Sequence, residues 1–331
     1  MTRKLGVFAL RLAVAIGGLA LVIGLALPDS NEALLVQLGS AWAAGPAQAW
    51  AWVAVAAVLF GVSYAIGALR FQLLLRSAGL PSRLGTLLRA YLIASFFNLV
   101  LPGLIMGDVY RLADARRDTG HGGAVLGIVA LERLLGFAAL GTMALIATPL
   151  LPGDTPTWVR LGVAGLGAAI TLGPFLLFSD VGRRLAAVLA SAIERFWQRG
   201  GDAARDALAA IERAGTEPAV LVRAFALSVA NQWLPVLAVV ALAGPLDTEV
   251  ALYWYAVIIP FVTLASLLPI SVGGTGVREA LFVALFGAVG MRPEVALVLS
   301  LSTLFVALAW GAVGLLLFAI GRRDVAEPVT P

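Results

Sequence analysis

Three arginines and three acids stand close to or inside apolar stretches of this 331-residue chain: Arg111, Arg133 and Arg278, with Asp108, Glu132 and Glu279. A guanidinium is a rigid fork of five donors, and it grips a phosphate or carboxylate through two parallel hydrogen bonds. Asn98, Gly107, Gly273 and Gly274 lie beside these charges. Glycine lets backbone come close to a ligand. A helix that begins there offers free N–H groups and the positive end of its dipole to an anion. The chemistry these residues suit is recognition of an anionic group. Other chemistries lack their residues. With no Cys there is neither a disulfide nor a thiolate metal site, and with one His (His121) there is no His cluster and no Ser/His/Asp triad. Lys4 is the only lysine, so the P-loop lysine is missing. No D-x-x-D carboxylate pair offers a catalytic metal site. The expectation is a protein without cofactor or metal, and not an enzyme.

Composition says what must position these residues. The chain is 61% apolar and 13% charged, with mean hydropathy +0.97. Soluble domains run near 45–50% apolar and about 25% charged, so this is a polytopic membrane protein. Its net charge of +4 reflects topology and implies no nucleic-acid partner. Nineteen of the 23 basic residues fall in five stretches: 3–11, 70–89, 111–117, 183–223 and 322–323. The positive-inside rule puts these stretches, and both termini, on the cytoplasmic side.

Six runs are long enough for helices that cross a core of ~30 Å: Val7–Leu27, Trp50–Phe71, Ala124–Leu151, Trp158–Phe178, Ala219–Ala243 and Val295–Ile320. The first has a basic start like a signal peptide but no small-x-small cleavage site, and reads as a retained helix. Trp50, Trp52 and Trp158 lie at helix ends, as interfacial aromatics do. Thr86–Leu101 is short and ends in Pro102. A single crossing there would place the arginine-rich stretch 183–223 outside, against the charge rule. It therefore reads as a re-entrant hairpin, tolerated at depth only where protein or a water-filled cavity surrounds it. Ala251–Leu268 with Thr275–Ala288 fits either a hairpin or two full spans, because both keep the parity.

An internal repeat ties the two broken elements together. Residues 101–111 and 268–278 both read L-P-x-x-x-x-G-x-x-x-R, 167 residues apart. The same offset carries Trp50–Phe71 onto the helix near Ala219, and Ala124–Leu151 onto the last helix. The charge pattern makes the two copies run oppositely across the bilayer. The expected fold is all-α with an inverted-topology repeat: about six full transmembrane helices plus two re-entrant hairpins meeting near mid-bilayer. Residues 1–331 form one integral membrane domain, with repeat 1 at about 5–151, repeat 2 at about 158–320 and a cytoplasmic amphipathic segment at 181–216. Interrupted segments at matching places in two halves point to a transporter's substrate site. The competing reading is that Pro and Gly only break helices and the arginines snorkel to headgroups.

Glu132 and Arg133 lie about ten residues into their run, ~15 Å deep at 1.5 Å per residue. Each costs roughly 2.5–3.5 kcal/mol there, and neighbours in sequence point apart on a helix. Partners must come from elsewhere: Asp108 and Arg111 for one, a ligand for the other. Asn98, Asn231 and Gln232 are polar insertions suited to interhelical hydrogen bonds. Arg183–Gln198 repeats apolar residues at a spacing of three and four and Asp202–Ala214 does so more weakly, which suits inner-leaflet interfacial helices or a cytoplasmic helical hairpin.

At these residues the chain resembles the transmembrane flippase region of the lysylphosphatidylglycerol synthase family. The resemblance rests on residues 97–102 (F-N-L-V-L-P), 107–111 (G-D-V-Y-R), Glu132-Arg133 and 268–279 (L-P-I-S-V-G-G-T-G-V-R-E), and it covers about residues 6–320. Met106-Gly107-Asp108 departs mildly from the family's Gly-Gly-Asp. No soluble aminoacyl-transferase domain accompanies the region in this sequence, so lipid lysylation is not expected. The resemblance implies a lipid flippase-like transporter in a bacterial-type cell membrane, moving a phosphate-bearing lipid between leaflets. Its cargo would be a phospholipid or a polyprenyl-phosphate-linked glycolipid, and a membrane glycosyltransferase or lipid-synthesis enzyme could be its partner. The alternatives are an integral membrane transferase or phosphatase acting on a lipid phosphate, and a non-catalytic partner of a glycosyltransferase. Three arginines against three acids would be neutral, so a phosphate fits only if one acid is protonated or turned away. Glu132 is the expected one, since burial favours the neutral carboxyl.

The topology has a direct check. Cysteines placed at Ser40 and at Thr330 should react oppositely with an impermeant thiol reagent in intact cells, and equal labelling would break the arrangement.

Overall fold

A computed structural model describes residues 46–101, 106–153, 155–196, 198–246, 248–266 and 275–321. Among them are eleven α-helices and no strand. The first repeat supplies α1 (Pro46–Ser77), α2 (Leu84–Val100), α3 (Met106–Thr119) and α4 (Gly122–Ala147). Then come α5 (Thr157–Leu172), α6 (Asp180–Phe196) and α7 (Gln198–Gly215). The second repeat supplies α8 (Pro218–Ala243), α9 (Leu252–Ser266), α10 (Val277–Gly287) and α11 (Pro293–Ile320). Both α8 and α11 open on proline, which lacks the N–H that a first turn leaves unpaired and presets the helical φ.

Five stretches are long and apolar enough to cross a bilayer: Gln48–Ser77, Gly122–Leu150, Thr157–Leu176, Pro218–Ala243 and Pro293–Ile320. These are five of the six expected spans, and they make this a multi-pass membrane protein. Val7–Leu27, Arg322 and Arg323 lie outside the described residues. The helices of the broken elements, α2, α3, α9 and α10, have 17, 14, 15 and 11 residues. None reaches the ~20 residues of a full crossing. The second element, left open by the charge pattern, shows the apolar helix Leu252–Ser266 and the helix Val277–Gly287 among the described residues. Pro102, Pro269, Gly273 and Gly274 lie outside the described residues.

Packing repeats at the same interval as the sequence. Moved forward by 167 residues, α2 would span 251–267, against the observed Leu252–Ser266. Contacts between helices follow that exchange. α2 packs on α11, and its counterpart α9 packs on α4. α4 packs on α8, and α11 on α1. The pairs α1–α2, α2–α3, α3–α4 and α1–α4 are matched by α8–α9, α9–α10, α10–α11 and α8–α11, while α1 and α8 pack on each other. Each half has its own apolar core. Phe71, Leu74, Leu87, Ile128 and Leu135 build one, and Val236, Tyr255, Phe282, Phe286 and Leu299 the other.

Lipid tails are as apolar as leucine, so membrane helices associate through close approach at small residues. A Cβ at Gly314 of α11 would strike the Leu92 carbonyl oxygen of α2, and one at Gly127 of α4 would strike the Ala207 backbone of α7. In residues 181–216 the two helices pack on each other as a hairpin, the alternative named for this segment. Of the two, α7 is docked on α4, with Ala210 and Ala214 buried, and α6 packs on α7.

Candidate anion-binding site

Glu132, in the first half of α4, is 1% exposed. A buried carboxylate is costly unless its oxygens are filled by donors, best of all by cations. Here three helices supply them. From α1, Arg70 donates an Nη2–H to Oε1 at 2.7 Å, and from α2 the Tyr91 hydroxyl donates to the same oxygen. From α3, Arg111 donates an Nη1–H to Oε2 at 2.7 Å. Arg111 also lies over the Tyr91 ring, 4.2 Å from its centroid, and donates its second Nη to Asp108. The other Asp108 oxygen accepts from Arg133 Nε. Arg70 reaches further, donating from Nη1 to Ser228 Oγ of α8 at 2.8 Å.

The partners expected for the intramembrane pair are those found: Arg111 for Glu132 and Asp108 for Arg133. One placement was not anticipated. Arg70, grouped with the cytoplasmic bases, is buried inside the cluster. The sequence did carry a signal, since Gln72-Leu73-Leu74-Leu75 continues the apolar run past it and α1 runs on to Ser77. Both Glu132 oxygens accept from guanidinium groups, Oε1 from Arg70 and Oε2 from Arg111. The ion pairs join three arginines to two carboxylates, Arg70 and Arg111 to Glu132 and Arg111 and Arg133 to Asp108.

At the corresponding place in the second half, the arginine persists and the acid moves. Arg278 occupies the position of Arg111 and Ser300 that of Arg133, but Leu299 stands where Glu132 does. Glu279, fully buried, takes the acid's role. It accepts from Arg278 Nε at 3.0 Å and from Arg278 Nη2, with Ser300 Oγ at 3.4 Å. Its Oε2 accepts the Gly276 N–H at 2.6 Å. Gly276 has φ +85°, which a side chain would strain. In the first half, Asn98 Oδ1 likewise accepts the Gly107 N–H at 2.8 Å. A Cβ on Gly107 would sit 2.7 Å from the Ala94 carbonyl oxygen, so only glycine allows α3 this close to α2. The N–H groups of Gly107 and Gly276 are thus held by the protein's own side chains, where sequence reading expected half-helix N–H groups free for a ligand.

Two cavities adjoin this framework. One of about 290 Å³ is polar, lined by Ser63, Tyr64, Asn98, Asp108, Arg111 and Asn231. The other, of about 260 Å³, is mostly apolar, with Phe60, Val236, Ile259 and Phe282 beside Arg278. Leu99 and Ala307 line both. Asp108, Arg111, Glu132, Arg133 and Asn98 are therefore gathered in one place, whereas Arg278 and Glu279 form a second pair at the neighbouring cavity. Asn231 and Gln232 tie helices as expected: Asn231 Oδ1 accepts from Ser63 Oγ at 3.0 Å, and Gln232 Nε2 donates to the Gly136 carbonyl at 3.2 Å. Besides Arg70, sequence reading missed Tyr91, Ser63 and Ser228.

A family model described as the lysylphosphatidylglycerol synthase TM region matches residues 8–321, nearly the whole chain, and the chain belongs to that family. Membership points to a membrane role connected with lipids. No curated protein and no solved structure matches the chain.

Removing the central carboxylate should be severe, because two buried guanidinium groups would lose their counter-charge. Glu132→Gln is expected to cost about 3–5 kcal/mol, read as a lowered unfolding midpoint in detergent. Ser300→Ala, which removes two long hydrogen bonds, one to Glu279 and one from Arg278, should cost about 1–2 kcal/mol.

Proposed function

We propose that this member of the lysylphosphatidylglycerol synthase membrane-region family moves a lipid with an anionic, phosphate-bearing headgroup between the leaflets of a bacterial-type cell membrane. The observation that carries the reading is the ion-pair network of Arg70, Arg111 and Arg133 with Asp108 and Glu132, which holds the Arg111 guanidinium at the wall of a cavity also lined by Ser63, Asn98 and Asn231. A guanidinium fixed at a cavity wall in low dielectric favours an anion as its partner. The adjoining apolar cavity suits an acyl or prenyl chain, and Arg278 there offers a second guanidinium along the way.

A transporter suits these carboxylates better than an enzyme. Asp108 accepts from Arg111 and Arg133, and Glu132 from Arg70, Arg111 and Tyr91. Neither is poised as a base or a nucleophile. In the proposed arrangement the 167-residue repeat is inverted across the bilayer with both termini cytoplasmic, and the two half-helix pairs, α2–α3 and α9–α10, face each other around the cavities. A membrane glycosyltransferase or lipid-synthesis enzyme would supply the cargo.

The test is a leaflet-accessibility assay in proteoliposomes with fluorescent phosphatidylglycerol. A hydrogen bond to a charged group contributes about 1.5–3 kcal/mol, so Arg133→Gln and Arg278→Gln should each slow lipid movement roughly ten- to a hundredfold. Both variants should stay monodisperse, and Trp158→Ala, at a site 77% exposed, should move lipid at the unaltered rate. Unchanged rates in both arginine variants would return these residues to a purely structural role.

A further inference from the structure

We propose that α6 is a membrane-surface helix that recognises anionic phospholipid headgroups, inserting one apolar stripe into the leaflet and laying two arginines among the headgroups. The stripe consists of Val181, Leu185, Val188 and Ala192, spaced four, three and four residues apart. That spacing puts them on one face of a helix with 3.6 residues per turn, and all four are exposed, Val188 at 63%. Gly182 and Ala190, which face elsewhere on the helix, are buried.

Three observations choose a lipid surface as the partner. The first is continuity of the chain. The spanning stretch Thr157–Leu176 ends just before Asp180, so α6 starts where a membrane crossing stops. The second is anchorage. α7 holds α6 on one side and is docked on α4 at Gly123 and Gly127, near the end of another spanning helix. α6 is therefore fixed at a bilayer boundary.

The third is how charge is distributed around the helix. Arg184 and Arg195, eleven residues apart, share one edge of the stripe. The acids of α6 lie further round that flank, away from the stripe, and are engaged by other arginines, Asp180 by Arg183 and Glu194 by Arg205 of α7. Among the described residues no ion pair joins Arg184 or Arg195. An apolar face edged by arginine is the pattern of helices that lie in the interface, bound by apolar burial and by attraction to anionic lipid. The proposal stands apart from the transport reading, since it uses none of the cavity residues.

The chain has no cysteine, so Val188→Cys and Ala187→Cys in the full chain each accept a single environment-sensitive dye. In nanodiscs containing phosphatidylglycerol, the dye at 188 should emit further to the blue and be quenched by lipid-borne nitroxide. The dye at 187, off the stripe, should be quenched by aqueous acrylamide. In the Arg184→Gln, Arg195→Gln background, or in phosphatidylcholine alone, insertion at 188 should weaken, by roughly fivefold for each arginine whose headgroup attraction is lost. Acrylamide quenching at 188 in both lipids would overturn the proposal, as would protection there from both quenchers, the mark of a covering protein. Lipid quenching indifferent to headgroup charge would overturn the anionic recognition.

Discussion

A carboxylate buried far from water must be surrounded by donors, and Glu132 brings α1, α2 and α3 to one point on α4 to provide them. This requirement orders the first half of the molecule. Leucine and alanine faces in a membrane pack in many registers, because lipid competes with them on equal terms. Two guanidinium–carboxylate bonds of fixed geometry do not slide. Arg70 extends the restraint across the repeat boundary through Ser228 on α8. The second half manages with less, since the ion pair of Arg278 and Glu279 is between neighbours in sequence and leaves long-range order to aromatic packing around Phe282 and Phe286. The first half adds this ion-pair network to its apolar core, and the second relies chiefly on apolar packing.

The ion-pair network links scaffold to function. Asp108 and Glu132 hold Arg70, Arg111 and Arg133 in fixed positions beside a cavity. Arg111 serves both: it anchors Glu132, stacks on Tyr91 and lines the polar cavity. An anion entering there meets groups already desolvated and already positioned, so little ordering cost remains.

Much of this was legible in the sequence, for physical reasons. The long helices announce themselves because a crossing needs about 20 apolar residues, and the broken elements because Pro and Gly interrupt such runs. Glu132 and Arg133 were conspicuous because intramembrane charge is expensive. Arg70 was not, since an arginine near the end of a run looks like any snorkelling base until the helix is seen to continue past it. Tyr91 gave no sign of its role, because tyrosine is common in membrane helices. The docking of α7 was hidden for the opposite reason: Ala203, Ala207 and the glycines facing them add little hydrophobic signal, and their importance lies in how closely they let backbones approach. The donors around Glu132 come from three other helices, which one-dimensional reasoning about burial could not place.

The central claim is that the polar cavity beside Arg111 holds an anionic headgroup. An electron cryomicroscopy map of the protein in nanodiscs rich in phosphatidylglycerol tests it most directly. The account predicts headgroup density in that cavity, within hydrogen-bond reach of Arg111, with a chain continuing past Leu99 and Ala307 toward Arg278. Lipid density confined to the outer surface, with that cavity closed by side chains, would contradict it.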